Sequence, residues 1–204
     1  MADFASLIDA ETWAFIRKTE RLYPPGTAEK SVRQQRDISD AMCRAFHCGH
    51  PEGVRAENRD AGGVPVRHYV RTGANQRPLV LYFHGGGFVV GGLDSHDDIC
   101  AEICASCALD VVSAAYRLCP EHPHPAAFDD AMTARAWATA TFGKPVILAG
   151  DSAGGTLAAA VAHARRGTGD IIGQVLIYPG LGGDTQRGSY QTMAHAPLLT
   201  LAEI

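Results

Sequence analysis

Residues 147–155 read Ile-Leu-Ala-Gly-Asp-Ser-Ala-Gly-Gly, an apolar run that ends in Gly-x-Ser-x-Gly and passes into an alanine-rich, helix-forming stretch, Thr156 to Arg166. A serine on so sharp a strand-to-helix turn holds a strained backbone, and its neighbours two positions away, Gly150 and Gly154, must be small to avoid clashing. Such a turn presents the Ser152 hydroxyl to solvent as a nucleophile, with Gly150, Asp151 and Gly154 as its supports. It also sets the Ala153 amide at the N-terminus of the new helix, where an unpaired N–H and the helix dipole favour a developing negative charge.

A second group stands upstream, His84-Gly85-Gly86-Gly87-Phe88, at the end of the apolar run Leu79 to Phe83. Consecutive glycines let backbone N–H groups face a substrate oxygen without interference from Cβ atoms. Paired with the serine turn, this run matches the other half of an oxyanion hole, in which each donor is worth roughly 3 to 4 kcal/mol of barrier. A phosphate-binding reading fits poorly, because no Lys-Ser/Thr follows the glycines.

Something must hold these two loops side by side. Gly53 to Asp60, Val64 to Arg71 and Pro78 to Phe83 read as strands separated by turn residues. Beyond them strands and helices alternate: Leu109–Tyr116, Pro145–Ala149 and Ile171–Tyr178 as strands, Ala126–Thr141 and Thr156–Arg166 as helices. That alternation predicts an α/β fold with a mostly parallel sheet flanked by helices. Runs apolar on both faces, such as Leu79 to Phe83, suit strands covered by helices on each side. Residues 1–46 carry two helical patterns split by Tyr23-Pro24-Pro25-Gly26. The first starts at Asp9 and buries Trp13 and Ile16; the second starts at Thr27 and buries Ile38, Met42 and Phe46. The segment 179–204 has no strand pattern and resembles a loop leading into another helix.

With 204 residues and 46% hydrophobic side chains, the chain can bury one sizeable core. Its 18 basic and 22 acidic residues are interspersed, with no Lys/Arg block to track a phosphate backbone, so nucleic acid is a poor candidate partner. The first twenty residues lack an apolar targeting core and no later run is long enough to span a bilayer. The expectation is a cytoplasmic chain without membrane insertion.

Cys100, Cys104 and Cys107 have a spacing that could hold an iron–sulfur cluster, but cluster ligands usually come from a loop. With Asp94 or Ser95 as N-cap and Asp97 and Asp98 in the first turn, residues to Leu109 read as continuous helix, which makes the three thiols one buried stripe. Cys43, His47, Cys48 and His50 match no recognisable zinc spacing. His122-Pro123-His124 is a rigid turn between prolines. The expectation is free thiols, with no metal and no cofactor.

Three motifs together resemble the hormone-sensitive-lipase-like branch of the α/β-hydrolases, the bacterial esterase and lipase group with a His-Gly-Gly-Gly motif. They are His84–Phe88 continuing through Gly91 to Asp97, Tyr116-Arg117-Leu118-Cys119-Pro120-Glu121-His122-Pro123 continuing to Ala127, and Gly150–Gly155. The resemblance implies an α/β-hydrolase core over residues 47–204, N-terminal cap helices over 1–46, and the start of a second cap segment at 179–204. It implies Ser152 as nucleophile, the amides of Gly85, Gly86 and Ala153 as oxyanion hole, and His84 and Gly87 as structural residues beside the site. Tyr116 to Pro125 would brace the glycine loop from behind. Cys119 and His124 depart from the family's usual alanine and aromatic residue.

In this fold the triad acid and histidine follow later strands. After Ser152 one strand pattern is legible, so the expectation is that the final strands, the acid and the histidine are absent. His163 is carried away along the helix, and His195 sits in a segment matching the family's mobile cap. Asp129, Asp130, Asp170 and Asp184 read as exposed helix-face or turn carboxylates. The implied function is a serine carboxylic-ester hydrolase acting on small-molecule esters of short to medium acyl chains. Two alternatives remain: a non-catalytic small-molecule-binding protein on the same scaffold, as in the plant gibberellin receptors, and an amide or formamide hydrolase. An uncovered sheet edge would promote self-association.

Overall fold

The computed structural model describes residues 3–71 and 78–201; the first two residues of the 1–46 segment and the last three of 179–204 lie outside the described residues. The chain divides into two compact units, Cys43–Gly180 and a second made of Met1–Met42 with Leu181–Ile204. In the second unit α1 (Phe4–Leu7) and α2 (Ala10–Leu22) are each capped by an aspartate, Asp9 accepting from the Thr12 amide at 2.7 Å. Helix α3 (Val32–Phe46) starts later than the pattern at Thr27 predicts. Thr27–Glu29 is only a 3₁₀ turn. The start is decided by Ser31 and Gln34, whose side chains and amides bond reciprocally in a capping box. Ile16 is buried, whereas Trp13, Ile38, Met42 and Phe46 are half-buried.

Among the described residues the larger unit is built on six strands, β1 (Val54–Asp60), β2 (Pro65–Arg71), β3 (Leu79–Phe83), β4 (Val111–Ala114), β5 (Val146–Asp151) and β6 (Ile171–Ile177), in the order β1-β2-β4-β3-β5-β6. β2 is antiparallel to β1 and β4, while β4, β3, β5 and β6 run parallel. Three helices complete it: α4 (Asp97–Cys107), α5 (Ala126–Phe142) and α6 (Ala153–Ala164). A seventh, α7 (Ser189–Thr192), is a single turn in the other unit.

Every residue of β3 is buried. Leu79, Leu81 and Phe83 face one layer with Ala131, Ala134 and Ala138 of α5 and Leu157, Ala158 and Val161 of α6. Val80 and Tyr82 face the other, with Cys100, Ala101 and Cys104 of α4. Side chains alternate across the strand, so helices on both sides turn a continuous apolar run into two cores. Burial of each such aliphatic side chain is worth roughly 1.5 to 3 kcal/mol. The small alanines and cysteines bring the helix axes close to the sheet. Along the outer strand β1, Arg55, Glu57, Arg59 and Asp60 are exposed, which discourages further pairing there. On β6 the exposed side chains Ile172 and Val175 are apolar.

Helix α4 departs from its expected ends. Its cap position is His96, not Asp94 or Ser95, and the backbone turns left-handed at Ala108 (φ 50°), so the helix stops short of Leu109. The Ser95 hydroxyl is used elsewhere, closing a turn on Gly92. Cys100 and Cys104 are buried, but Cys107 is exposed because it is the helix's last residue, outside the packed cluster. No disulfide joins any of the six cysteines.

Candidate active site

β3 and β5 are neighbours in register, Phe83 opposite Gly150, so the segments that leave their C-terminal ends start side by side. One is the glycine run and the other the serine turn. Ser152 sits at φ 49°, ψ −120°, a conformation sparsely populated by residues with a side chain. Its amide donates to Ile177 O at 2.9 Å, and Thr156 Oγ1 donates to Gly180 O at 2.9 Å, which anchors the turn to the end of β6. A Cβ on Gly154 would meet the carbonyls of Phe83 and His84, and one on Gly150 would lie 2.5 Å from the carbonyl of Gly154. Glycine is required at both because three stretches of backbone touch there.

Asp151 joins the two loops. Its Oδ1 accepts from Tyr82 Oη at 2.9 Å and from the Gly85 amide at 3.0 Å, and His96 Nε2 lies 3.1 Å from it. Burial pushes the carboxyl pKa up, but the hydrogen bonds from His96, Tyr82 and Gly85 outweigh it and hold the group below the usual carboxylate range. The buried group is therefore an anion with three donors.

This bond bears on the expectation for Gly85. Its N–H is spent on Asp151 and is not free to bind a substrate oxygen. The amides of Gly86, Gly87 and Ala153 have no acceptor among the described residues. Gly86, at φ 121°, folds the loop so tightly that a Cβ would strike the Val90 carbonyl. The Gly87 amide, on a residue expected to be structural, has no acceptor among the described residues, whereas the Gly85 amide has one.

His84 is fully buried, and its ring stacks on Tyr116 with centroids 4.3 Å apart and planes 9° from parallel. Nδ1 lies 2.7 Å from Gly85 O, and burial drives the imidazole pKa down to about 4, so at neutral pH an uncharged ring donates to that carbonyl. Tyr116 Oη donates to His84 O at 2.6 Å and the Cys119 amide to Phe88 O at 2.8 Å. Arg117 fastens this segment to α5: its amide and guanidinium both donate to Asp130 at 2.8 Å. Asp130, expected to be an exposed helix-face acid, is buried because it accepts these bonds. Asp170 is likewise engaged, by Arg135 and Arg165.

Among the described residues nothing hydrogen-bonds the Ser152 hydroxyl. His163 lies eleven residues along α6 from the serine, about 16 Å at helical rise, and its ring faces Arg166. His195 is exposed in the other unit. Tyr82 and His96 as partners of Asp151 are not legible in the sequence, because no local pattern links residues so far apart in the chain.

A strained serine between β5 and α6, facing a glycine loop from the end of the neighbouring parallel strand, defines an α/β-hydrolase. The chain belongs to that family: a family model described as alpha/beta hydrolase fold matches residues 80–204. It is similar to the Mycobacterium tuberculosis esterase LipI, 45% identical over 138 residues that make up 63% of this chain and 43% of that protein. To the carboxylic ester hydrolase LipN of the same organism it is 39% identical, over 71% of this chain and 42% of LipN. It also resembles the crystal structure of an esterase of the bacterial hormone-sensitive lipase family, with TM-score 0.83, 26% identity, and coverage of 99% of this chain and 67% of that one. The chain thus spans less than half the length of these two curated relatives. No described helix is long and apolar enough to cross a membrane.

Proposed function

We propose that this chain carries the nucleophile and oxyanion hole of a serine carboxylic-ester hydrolase. The observation that supports this most directly is the juxtaposition of the strained Ser152 with three unpaired amides, those of Gly86, Gly87 and Ala153. Ser152 Oγ attacks the ester carbonyl carbon as its proton passes to a general base, and the carbonyl oxygen becomes an oxyanion held by the amides. Collapse of the tetrahedral intermediate breaks the bond to the alkoxy group, which leaves as the alcohol on taking a proton. Water then attacks the acyl-enzyme, releasing the carboxylic acid and restoring the serine. The names of LipI and LipN favour ester substrates over amides. In this reading Asp151 is a positioning residue: it fixes Gly85, and so places the next two amides relative to the serine beside it.

The test is labelling of the 204-residue chain with a fluorophosphonate, together with hydrolysis of a short-chain p-nitrophenyl ester, each beside Ser152→Ala. Labelling of Ser152 and turnover lost in the variant support the reading. No labelling, with turnover equal to that of the variant, would show that the serine has no working base in this chain, as expected if the triad acid and histidine are absent, and would count against catalysis by the chain on its own.

A further inference from the structure

At the start of α4, one residue beyond the His96 that contacts Asp151, two chain segments converge on one carboxylate. His47 and His50 lie in the connection between α3 and β1, and Asp97 is the first residue of α4. Asp97 Oδ2 is 3.3 Å from His47 Nε2 and 2.6 Å from His50 Nε2, and the three atoms lie within 4.8 Å of one another. The other carboxylate oxygen, Oδ1, accepts from Arg67 Nη1 at 2.7 Å and Tyr69 Oη at 2.8 Å. One oxygen is therefore fixed from behind while the second faces two imidazoles. That division is the one found where a ligating carboxylate is oriented by outer partners.

We propose that His47, His50 and Asp97 form a binding site for a borderline divalent cation, with zinc the best match to two imidazoles and a carboxylate. Tetrahedral zinc with bonds near 2.0 to 2.2 Å sets its ligand atoms roughly 3.4 Å apart. The His47 separation already meets this, and the His50 hydrogen bond would open by about 0.8 Å as the ion replaces the shared proton. Asp94 and Asp97 both pair with Arg67 and Asp98 accepts from the Cys48 amide at 2.9 Å, so three carboxylates gather at this end of α4, which favours a bound positive charge. The His side chains are about a third exposed, leaving a path for the ion and a fourth position for water. One bond must yield: the Gly49 amide donates to His47 Nδ1 at 3.1 Å, and Nδ1 carries the proton when Nε2 holds a metal. Gly49 can turn away, since it sits at φ 80° with nothing within 4 Å of its Cβ position. The ion then clips the segment before β1 to the start of α4, two stretches some fifty residues apart.

The site stands apart from the ester-hydrolase reading and survives its failure. Calorimetric titration of the intact chain with zinc chloride, in a non-chelating buffer at pH 7.5, should show one equivalent bound, with affinity at least tenfold weaker in both His47→Gln and His50→Gln. These ligands are near the surface, so unchanged urea midpoints would show that both variants fold. Cobalt substitution tests the cysteine thiols as rival ligands: nitrogen and oxygen ligation gives visible bands without a near-ultraviolet thiolate band. Equal affinity in the variants, no stoichiometric zinc, or a thiolate band from the bound cobalt would each overturn the proposal.

Discussion

Gly154→Ala tests whether the serine turn is as tightly packed as its geometry implies. Gly154 lies in the first turn of α6, and alanine in a helix is worth about 1 kcal/mol over glycine, so propensity alone predicts a more stable protein. The added Cβ would lie 2.5 Å from His84 O and from Phe83 C, and closer still to Phe83 O. Ordinary contact needs about 1 Å more room than that. None of these atoms belongs to a side chain that can rotate away; they are the backbone where β3 ends and the glycine loop begins. Overpacking of this kind costs roughly 1 to 3 kcal/mol, and with backbone on the far side the upper end applies. The clash wins, for a net loss of about 2 kcal/mol, which approaches a thirtyfold shift toward the unfolded state. Urea unfolding should show a lower midpoint with an unchanged slope. Gly173→Ala is the control: its Cβ would meet only Ile147, at 3.9 Å, so stability should hold or rise by up to about 1 kcal/mol. A Gly154→Ala protein as stable as the parent would refute the close approach of β3, β5 and α6 on which the site depends.

Replacing Ser152 by glycine should leave the protein about 1 kcal/mol more stable than Ser152→Ala, read as a higher thermal midpoint, because glycine adopts the serine's conformation without strain; equal midpoints would show that no strain is stored there. Stability should fall as pH drops from 6.5 toward 4, since unfolded His84 takes a proton that the buried ring refuses until about pH 4. The unfolded state thus binds more protons in that window, a loss of roughly 3 kcal/mol once complete. His68, also held low by burial, acts in the same direction, so urea midpoints at pH 7 and 4.5 should converge in His84→Phe without becoming equal; an unaltered pH drop would contradict the assignment. Asp130→Ala should cost about 2 kcal/mol by stripping the Arg117 amide of its acceptor, while Arg117→Ala, whose side chain is half exposed, should cost less. Denaturation of the two variants side by side checks the order.

The elements were legible in the sequence to the extent that their signals are local. β3 was visible as an apolar run because burial on both faces leaves no polar position in it. Helix starts were less legible. The α3 boundary turned on Ser31 and Gln34, a capping pair the apolar period does not register, and α4 is capped at His96 and starts at Asp97 because the Ser95 hydroxyl is taken by Gly92. Asp130 shows the same limit: in sequence it is an acid on a helix, and only Arg117 arriving from the β4 connection makes it a buried one.

For the site, the sequence alone determined what a turn can do. Gly-x-Ser-x-Gly after an apolar strand dictates a strained serine and a helix N-terminus, since that geometry is set by bond rotations within five residues. A run of three glycines likewise announces exposed amides. Which of those amides remain free was decided by the tertiary structure. Asp151 and Gly85 meet only because β3 and β5 lie side by side, and their bond removes one donor and leaves Gly86 and Gly87. The meeting of His47 and His50 with Asp97 is of the same kind. Hydrogen bonds and ion sites depend on distances of a few tenths of an ångström between atoms that the chain separates by tens of residues, and only packing of the whole sheet and its helices sets those distances.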